Sequence, residues 1–282
     1  MRRGGSRRVR RGLGRLLGGR PGPDGRRAAR GGRGSSRLSG PPPPYDLIGD
    51  VHGCASELGT LLDRLGWDDT THPDGRVAVF VGDLVDRGPD TPGVLRRVME
   101  MAAAGTALCV AGNHEAKLVR ALRGAPVRTT HGLAESLEQL AGESERFRVA
   151  VADFMAGLPH QLVLDEGRLV VAHAGLREDL HGSDSPRARS FALYGDTTGQ
   201  RDEHGLPVRL PWQRSYRGAA AVVYGHTPVR EATWVNNTLC LDTGVVFGGR
   251  LTALRYPERE IVDVPAERVW CEPVRPLPPV TQ

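Results

Sequence analysis

The sequence predicts an α/β fold, with central β-sheets flanked by helices, because short apolar runs alternate with amphipathic segments. Residues 45–48, 77–81 and 107–111 are apolar runs followed at once by glycine, as expected of buried strands. Residues 56–65 carry leucines at helical spacing, and residues 92–104 form a second helical segment that ends at Gly105. Open α/β sheets hold their ligands at the carboxyl ends of the strands, so we expect the functional site there.

The chain continues with helices and then with strands. Residues 116–158 are predicted to be mostly helical, whereas residues 177–218 are polar, contain glycine and proline, and are predicted to be irregular substrate loops. Seven β-rich runs accompany these segments, at residues 161–164, 169–172, 220–224, 232–235, 238–241, 251–256 and 260–264.

The two ends of the chain differ in composition from the domain predicted at residues 45–272. Residues 1–44 are predicted to be a disordered tail, because residues 1–40 hold 13 Arg, one acidic residue and few apolar groups, and residues 41–44 are all proline. The remaining chain has 25 Lys and Arg against 32 Asp and Glu, so the tail accounts for the net charge of +5. Three interpretations of the tail are open: contact with nucleic acid or another polyanion, targeting, or translation that starts downstream. Residues 273–282 are predicted to be a loose, Pro-rich C-terminus.

Several classes of protein are excluded by composition. Lys117 is the only lysine, so the Gly-x-x-x-x-Gly-Lys loop of P-loop kinases is absent. The four cysteines include no Cys-x-x-Cys pair, which argues against a thiolate zinc site. No apolar stretch of membrane-spanning length and no signal peptide are visible, so a cytoplasmic protein without a membrane partner is expected.

Potential metal ligands follow five of the predicted strands. Asp and His side chains bind Mn²⁺, Zn²⁺ or Fe²⁺, and the number of candidates exceeds what one open catalytic ion needs. We expect two divalent ions, with Mn²⁺ the first choice and Fe, Zn or Ni as alternatives, about 4 Å apart and bridged by one carboxylate. A hydroxide between them would be the nucleophile. The predicted ligands are Asp50, His52 and Asp83 for one ion, and Asp83, Asn113, His173 and His226 for the other.

The motifs around these residues resemble those of calcineurin-like metallophosphoesterases of the phosphoprotein-phosphatase type. They are Asp50-Val-His-Gly53, Gly82-Asp-Leu-Val-Asp-Arg-Gly88, Gly112-Asn-His-Glu115, His173-Ala-Gly175 and Gly225-His-Thr227. The resemblance covers nearly all of the chain from residue 45 to about residue 269, and it implies a phosphoesterase with this fold.

Further short motifs resemble the phosphatase module of bacterial polynucleotide kinase-phosphatase. They are Cys54 after Gly53, Asn113-His-Glu-Ala-Lys117, Phe191-Ala-Leu-Tyr-Gly195, and Val235-Asn-Asn-Thr238 followed by Asp242-Thr-Gly244. Bacterial diadenosine tetraphosphate hydrolases are similar but less close by these motifs. The kinase and nucleotidyl-transfer modules of the full repair enzyme are absent from the sequence.

Three residues suit the chemistry of phosphoester hydrolysis. The planar guanidinium of Arg87 can bind two phosphate oxygens, and Asn113 and His114 are expected to join it there. His114 is the candidate that gives a proton to the leaving oxygen, with Asp86 holding its other ring nitrogen. The resemblance implies the same roles for Arg87, His114 and Asp86, and it implies that Asp242 lies next to the metals.

Four functions compete at this stage. The first is hydrolysis of phosphomonoesters or of cyclic and 3′-phosphate nucleotide ends, with a phosphorylated small molecule or a nucleic-acid end as substrate. The second is hydrolysis of dinucleoside polyphosphates, of which diadenosine tetraphosphate is an example. The third is protein Ser/Thr phosphatase activity. The fourth, a nucleic-acid-binding scaffold without activity, is disfavoured by the intact ligand set. Thr227-Pro228 stands where many nucleases of this class have a second histidine, which favours the first two functions.

Overall fold

The computed structural model describes residues 42–274 and confirms the predicted α/β class. The tail predicted at residues 1–44 lies outside the described residues except for residues 42–44, and so do residues 275–282 of the predicted loose C-terminus. None of the helices in the described part is long and apolar enough to cross a membrane.

The first sheet has five strands in the order β12-β11-β1-β2-β3. Its centre is parallel, since β1 pairs with β2 and β2 with β3 in the same direction, while β11 and β12 continue it antiparallel. The strands are β1 (Tyr45–Ile48), β2 (Val77–Phe80), β3 (Ala107–Cys109), β11 (Arg250–Tyr256) and β12 (Glu260–Pro265). Helices α1 (Ala55–Leu65) and α2 (Thr91–Ala103) connect the three parallel strands, as the alternating pattern predicts.

The second sheet also has five strands, in the order β4-β5-β8-β10-β9. They are β4 (Leu162–Leu164), β5 (Leu169–Val171), β8 (Ala221–Tyr224), β9 (Trp234–Val235) and β10 (Thr238–Cys240). The pairs β5–β8 and β8–β10 are parallel. The predicted helical middle of the chain forms α3 (Asn113–Leu122), α4 (Leu133–Ala141) and α5 (Glu145–Ala156).

The two sheets pack face to face. Leu47, Val79, Val171, Val223 and Leu239 come from strands of both sheets and form one buried cluster between them. Since side chains alternate along a strand, the neighbouring residues of the first sheet point the other way, into a second cluster that includes the helices. A third cluster covers the outer face of the second sheet. The order of layers is therefore helix, sheet, sheet, helix.

The segment predicted to be irregular, residues 177–218, contains regular structure, so that prediction is wrong. It forms α6 (Pro186–Tyr194), a hairpin of β6 (Thr197–Arg201) and β7 (Pro207–Arg209), and the short helix α7 (Trp212–Ser215). The Ser185 hydroxyl accepts a hydrogen bond from the Ala188 amide at 3.2 Å and begins α6, with Pro186 in the first turn. Ser followed by Pro is a typical beginning of a helix, but the polar composition of the segment led to the prediction of a loop.

A buried ion pair fixes the start of the first sheet. Arg76 Nε donates to Asp46 Oδ1 at 2.7 Å, and both side chains are almost fully buried. Trp67 Nε1 donates to the second oxygen of Asp46 at 3.0 Å. Arg76 also donates to the carbonyls of Tyr45 and Tyr256, which belong to neighbouring strands. Asp46 also lies 3.8 Å from Arg255 Nε, so removal of Arg76 would leave the buried carboxylate with only this more distant cation.

We therefore expect Arg76→Met to destabilise the domain by about 3–5 kcal/mol, because the buried Asp46 carboxylate loses its nearer cation and a hydrogen bond. Urea denaturation followed by circular dichroism measures the free energy of unfolding. Arg97→Met is the matched control, since Arg97 pairs with Asp69 at an exposed position, and it should change stability by no more than about 0.5 kcal/mol. Equal effects of the two substitutions would contradict the structural role given to Arg76.

Candidate metal centre

The predicted ligands and their neighbours meet where the carboxyl ends of strands from both sheets come together. Asp50 and His52 follow β1, Asp83 follows β2, and His173 follows β5. His173 Nδ1 donates to the Val81 carbonyl at 3.0 Å, which ties the second sheet to the first at this point. Asp83, Arg87, Asn113, His114, His226 and Asp242 line one cavity, and Asp50, His52, Asp86 and His173 are buried.

Asp83 is shared by two groups of side chains that could hold an ion. The first group is His52, Asp83 and His114, in which Asp83 Oδ2 lies 3.8 Å from His52 Nε2 and 3.9 Å from His114 Nε2. The second group is Asp83, His173 and His226. This shared position is the one that the predicted bridging role of Asp83 requires. The structure adds His114 to the first group, whereas the sequence assigns it to proton transfer.

The surroundings of His173 fit a bound cation. Its Nε2 lies 3.2 Å from Asp83 Oδ2, 3.1 Å from Asn113 Oδ1 and 3.0 Å from His226 Nδ1. A single N–H on this nitrogen could satisfy only one of these three atoms. Ligand atoms bound about 2.1 Å from one ion at right angles are about 3 Å apart, so the observed spacing fits an ion held by all four residues.

Three buried atoms of the centre lack hydrogen-bond partners among the described residues, and they are Asp50 Oδ1, Asp86 Oδ1 and His226 Nε2. Asp50 Oδ2 accepts a hydrogen bond from the His226 amide at 2.9 Å, but Asp50 Oδ1 has none, and neither has His226 Nε2. A Cβ atom on Gly225 would strike Asp50 Oδ1, so glycine is required for this close approach. An unsatisfied buried carboxylate oxygen is costly unless a metal coordinates it.

The electrostatics of the centre also favour bound cations. Burial, together with the charges of Asp242 and Asp83, raises the pKa of Asp50 well above its ordinary value. Burial raises the pKa of Asp242 to about 6 as well. The pKa of Asp83 moves the other way, because His173 and His114 outweigh the effect of its burial. Divalent ions would neutralise this concentration of buried carboxylates.

Two of the histidines have lowered pKa values, which favour the neutral form that metal binding needs. Burial and the nearby Arg87 hold the pKa of His52 well below its ordinary value, and burial and His173 do the same for His226. His52 Nδ1 donates to the Val85 carbonyl at 2.8 Å, which leaves Nε2 with its lone pair directed toward Asp83 and Arg87. Such a hydrogen bond on the far ring nitrogen is common for histidines that bind metals.

Glu115 is a site residue to which the sequence analysis gave no role. Its carboxylate accepts hydrogen bonds from the amides of Asp83, Leu84 and Gly112, at 2.8, 2.8 and 2.9 Å, and it is fully buried. Burial and the charge of Asp83 raise its pKa to about 7. Glu115 therefore positions the loops that carry Asp83 and Asn113. The sequence signal for this role was the position of Glu115 three residues after Gly112, as in a capping box at the start of a helix.

The backbone around the centre is strained. His52, Asp83, Asp86, Arg87 and His226 all have positive φ angles, between 47° and 73°. Few residues other than glycine adopt this conformation, and strain of this kind concentrates at functional sites. Four of the five are Asp or His, which adopt positive φ more often than most residues other than glycine, so the residue types were only a weak signal of this conformation.

Arg87, His114 and Asp86 form a connected set beside the metal ligands. His114 Nδ1 lies 2.6 Å from Asp86 Oδ2, while His114 Nε2 accepts from the Arg87 guanidinium at 3.0 Å. The other terminal nitrogen of Arg87 donates to His52 Nε2 at 2.5 Å, and its guanidinium lies 5.4 Å from the centre of the Phe247 ring. These contacts bring the three side chains together, and the catalytic roles expected for them stay predictions.

The cavity over the ligands, here called the first cavity, has a volume of about 250 Å³. Its floor carries the ligands, Arg87 and His114. Its walls include an imidazole, several apolar side chains and two residues from the segment predicted to be a loose C-terminus. These wall residues are His131, Tyr194, Leu206, Phe247, Pro273 and Val274. A polar floor with apolar walls suits a phosphate group attached to a ring-containing organic group.

Comparison with known proteins agrees with this geometry. Residues 43–230 match the sequence profile of the calcineurin-like phosphoesterases. A protein of Anoxybacillus flavithermus named bis(5′-nucleosyl)-tetraphosphatase PrpE [asymmetrical] is 45% identical over 242 residues, which cover 83% of this chain and 99% of the relative. The protein of the same name from Bacillus subtilis is 44% identical, covering 81% of this chain and 97% of the relative.

Solved structures show the same fold. The crystal structure of a proposed diadenosine tetraphosphatase superposes with a TM-score of 0.59 at 28% identity, covering 79% of this chain and 94% of that one. A protein serine/threonine phosphatase from Saccharomyces cerevisiae has a TM-score of 0.57 at 15% identity, covering 82% of each chain, and shows the fold alone. The expectation that the polynucleotide kinase-phosphatase module is the nearer likeness is wrong, because the relatives above 40% identity carry the tetraphosphatase name.

We expect Asp83→Ala to abolish binding of both ions, because each of the two groups loses the carboxylate that they share. Metal analysis of protein loaded with Mn²⁺ and then desalted should give about two ions per chain for the wild type and none for the variant. Asp153→Ala, which removes an exposed carboxylate, is the control and should retain both ions. Two tightly bound ions in Asp83→Ala would refute the role of Asp83 as the shared ligand. Removal of the metals from the wild type with a chelator should abolish its activity.

Proposed function

The chain belongs to the calcineurin-like phosphoesterase family, and on this basis we propose that it hydrolyses dinucleoside tetraphosphates asymmetrically. The observation that carries the proposal is about 45% identity across nearly the full length of relatives that bear this name. The second of the competing functions is thereby favoured over hydrolysis of phosphomonoesters or nucleotide ends. The apolar walls of the first cavity support the choice, because a nucleoside needs such a surface and a bare phosphate does not.

The reaction breaks one of the two outer phosphoanhydride bonds of the four-phosphate chain. Water forms the new P–O bond at one phosphorus and the bridging oxygen leaves with the other product, so that a nucleoside triphosphate and a nucleoside monophosphate result. Two divalent ions, held by the ligands described above, would supply Lewis acidity and make water nucleophilic at neutral pH. We propose Mn²⁺ as the first choice because all ligands are O or N donors.

Residues of the chain supply the remaining chemistry. Arg87 faces the first cavity, where its two terminal nitrogens can turn from the histidines to two phosphate oxygens. Once Arg87 has turned to the phosphate, His114 as the imidazolium would give the proton on Nε2 to the leaving oxygen, and Asp86, 2.6 Å from Nδ1, stabilises that imidazolium before the transfer. Asn113 orients its amide toward the same phosphate and the ligand His173.

The substrate proposal predicts that Mn²⁺-loaded protein has a kcat/KM for diadenosine tetraphosphate about 100-fold above that for a 3′-phosphate oligonucleotide, a 2′,3′-cyclic nucleotide or a phosphopeptide. Chromatography of the products should show ATP and AMP in equal amounts, and no ADP. Predominant formation of ADP would contradict asymmetric cleavage. A higher kcat/KM for the oligonucleotide would instead favour hydrolysis of nucleotide ends.

The role of His114 predicts a dependence on the leaving group. In His114→Ala, kcat for an alkyl phosphomonoester should fall about 100-fold more than kcat for p-nitrophenyl phosphate, whose leaving group needs no proton. Equal losses on the two substrates would show that His114 acts through the fold or the metals. His131→Ala, which removes another histidine of the first cavity, should lower both rates by the same factor.

A further inference from the structure

A second cavity adjoins the first beyond Arg209. Its volume is about 220 Å³, and it shares Arg209, His226 and Thr227 with the first cavity. Neither cavity alone reaches the lower limit of about 300 Å³ for typical ligand sites, but the two together do. A substrate with two bulky ends joined by a narrow chain fits such a pair of cavities, whereas a phosphomonoester fills only one.

The lining of the second cavity suits a nucleoside and not a phosphate group. Leu210, Trp212 and Val229 give it an apolar surface, and Gln213 and Asp196 give it hydrogen-bonding groups. The Asp196 carboxylate would repel a phosphate, yet it can accept hydrogen bonds from ribose hydroxyls or from an amino group of a base. The first cavity differs in having Arg87, His131 and the candidate metal ligands, which suit a phosphate group, beside its apolar walls.

The wall of the second cavity is firmly held. Trp212 is 7% exposed and packs against Gly175, where a Cβ atom would collide with its ring. Its ring meets those of Phe191 and Tyr224 at centroid distances of 5.9 and 5.3 Å. Gly175 belongs to the loop that carries His173, so the wall is joined to the metal centre. A surface that is already ordered loses little entropy when it binds a ring.

Arg209 stands at the junction of the two cavities. It lies in β7 of the hairpin and donates from one terminal nitrogen to the Tyr194 carbonyl at 2.8 Å, which fixes the side chain across the end of α6. Its side chain lines both cavities together with His226 of the metal centre. A phosphate chain that runs from the metal centre into the second cavity must pass this cation.

Taking the proposed function as given, we propose that the second cavity binds one of the two nucleosides of the substrate and that Arg209 binds the phosphate chain between the cavities. The scissile phosphate lies over the metal ligands in the first cavity, and the other nucleoside rests on the apolar walls there. The two cavities thereby distinguish a two-ended substrate from a phosphomonoester.

Closing the second cavity tests the proposal. Gln213→Trp places a large ring in it, and Arg214→Trp, at the exposed neighbouring position of α7 that lines neither cavity, is the matched control. The measurement is kcat/KM for diadenosine tetraphosphate divided by kcat/KM for p-nitrophenyl phosphate. This ratio should fall about tenfold in Gln213→Trp, as for the loss of one base contact, and should stay at the wild-type value in the control.

A second pair of variants covers the case in which Gln213→Trp fails to fold. Arg209→Gln should lower the same ratio about tenfold, mainly through KM, because a charged contact to phosphate is lost. Arg201→Gln, in the other strand of the same hairpin and outside both cavities, should leave the ratio unchanged. An unchanged ratio in folded Gln213→Trp or in Arg209→Gln overturns the inference, even if the wild type cleaves diadenosine tetraphosphate. Failure of the wild type to cleave it overturns the proposed function itself.

Discussion

The structure depends on the Asp83 carboxylate, whose Oδ2 lies within 3.2 to 3.9 Å of the Nε2 atoms of three histidines. The three rings come from two loops and from the first turn of α3, and each is buried. Placing so many polar atoms in one dry volume is unfavourable unless cations occupy the space between them. Bound cations would explain two further features of the site. They would coordinate the oxygen of Asp50 that lacks a hydrogen bond, and they would bind His52 and His226, whose lowered pKa values favour the neutral form.

The fold provides the convergence that this centre needs. Parallel strands in both sheets end at the same place, and the cluster of apolar residues between the sheets holds these ends together. Glu115 adds local precision, because its carboxylate receives three backbone amides from the loops that carry Asp83 and Asn113. The strained backbone at His52, Asp83 and His226 is the cost of directing the side chains inward.

The sequence predicted most of the fold because its signals were local and periodic. Apolar runs before Asp50, Asp83 and His173 identify strands, and the polar residue after each run identifies the site. The α6 helix and the β6–β7 hairpin were missed because they are short and rich in polar residues. Packing of Phe191 against Trp212 holds α6, and the hairpin is held by the pairing of its own two strands. Sequence motifs alone also could not rank the substrates, because the metal ligands are the same for phosphomonoesters and dinucleoside polyphosphates.

Anomalous diffraction from crystals of Mn²⁺-loaded protein tests the central claim most directly, since it locates each ion without reference to activity. We expect two anomalous peaks about 4 Å apart on either side of the Asp83 carboxylate, one near His52 and one near His173 and His226. A single peak, or two peaks that do not share Asp83 as a ligand, would contradict it.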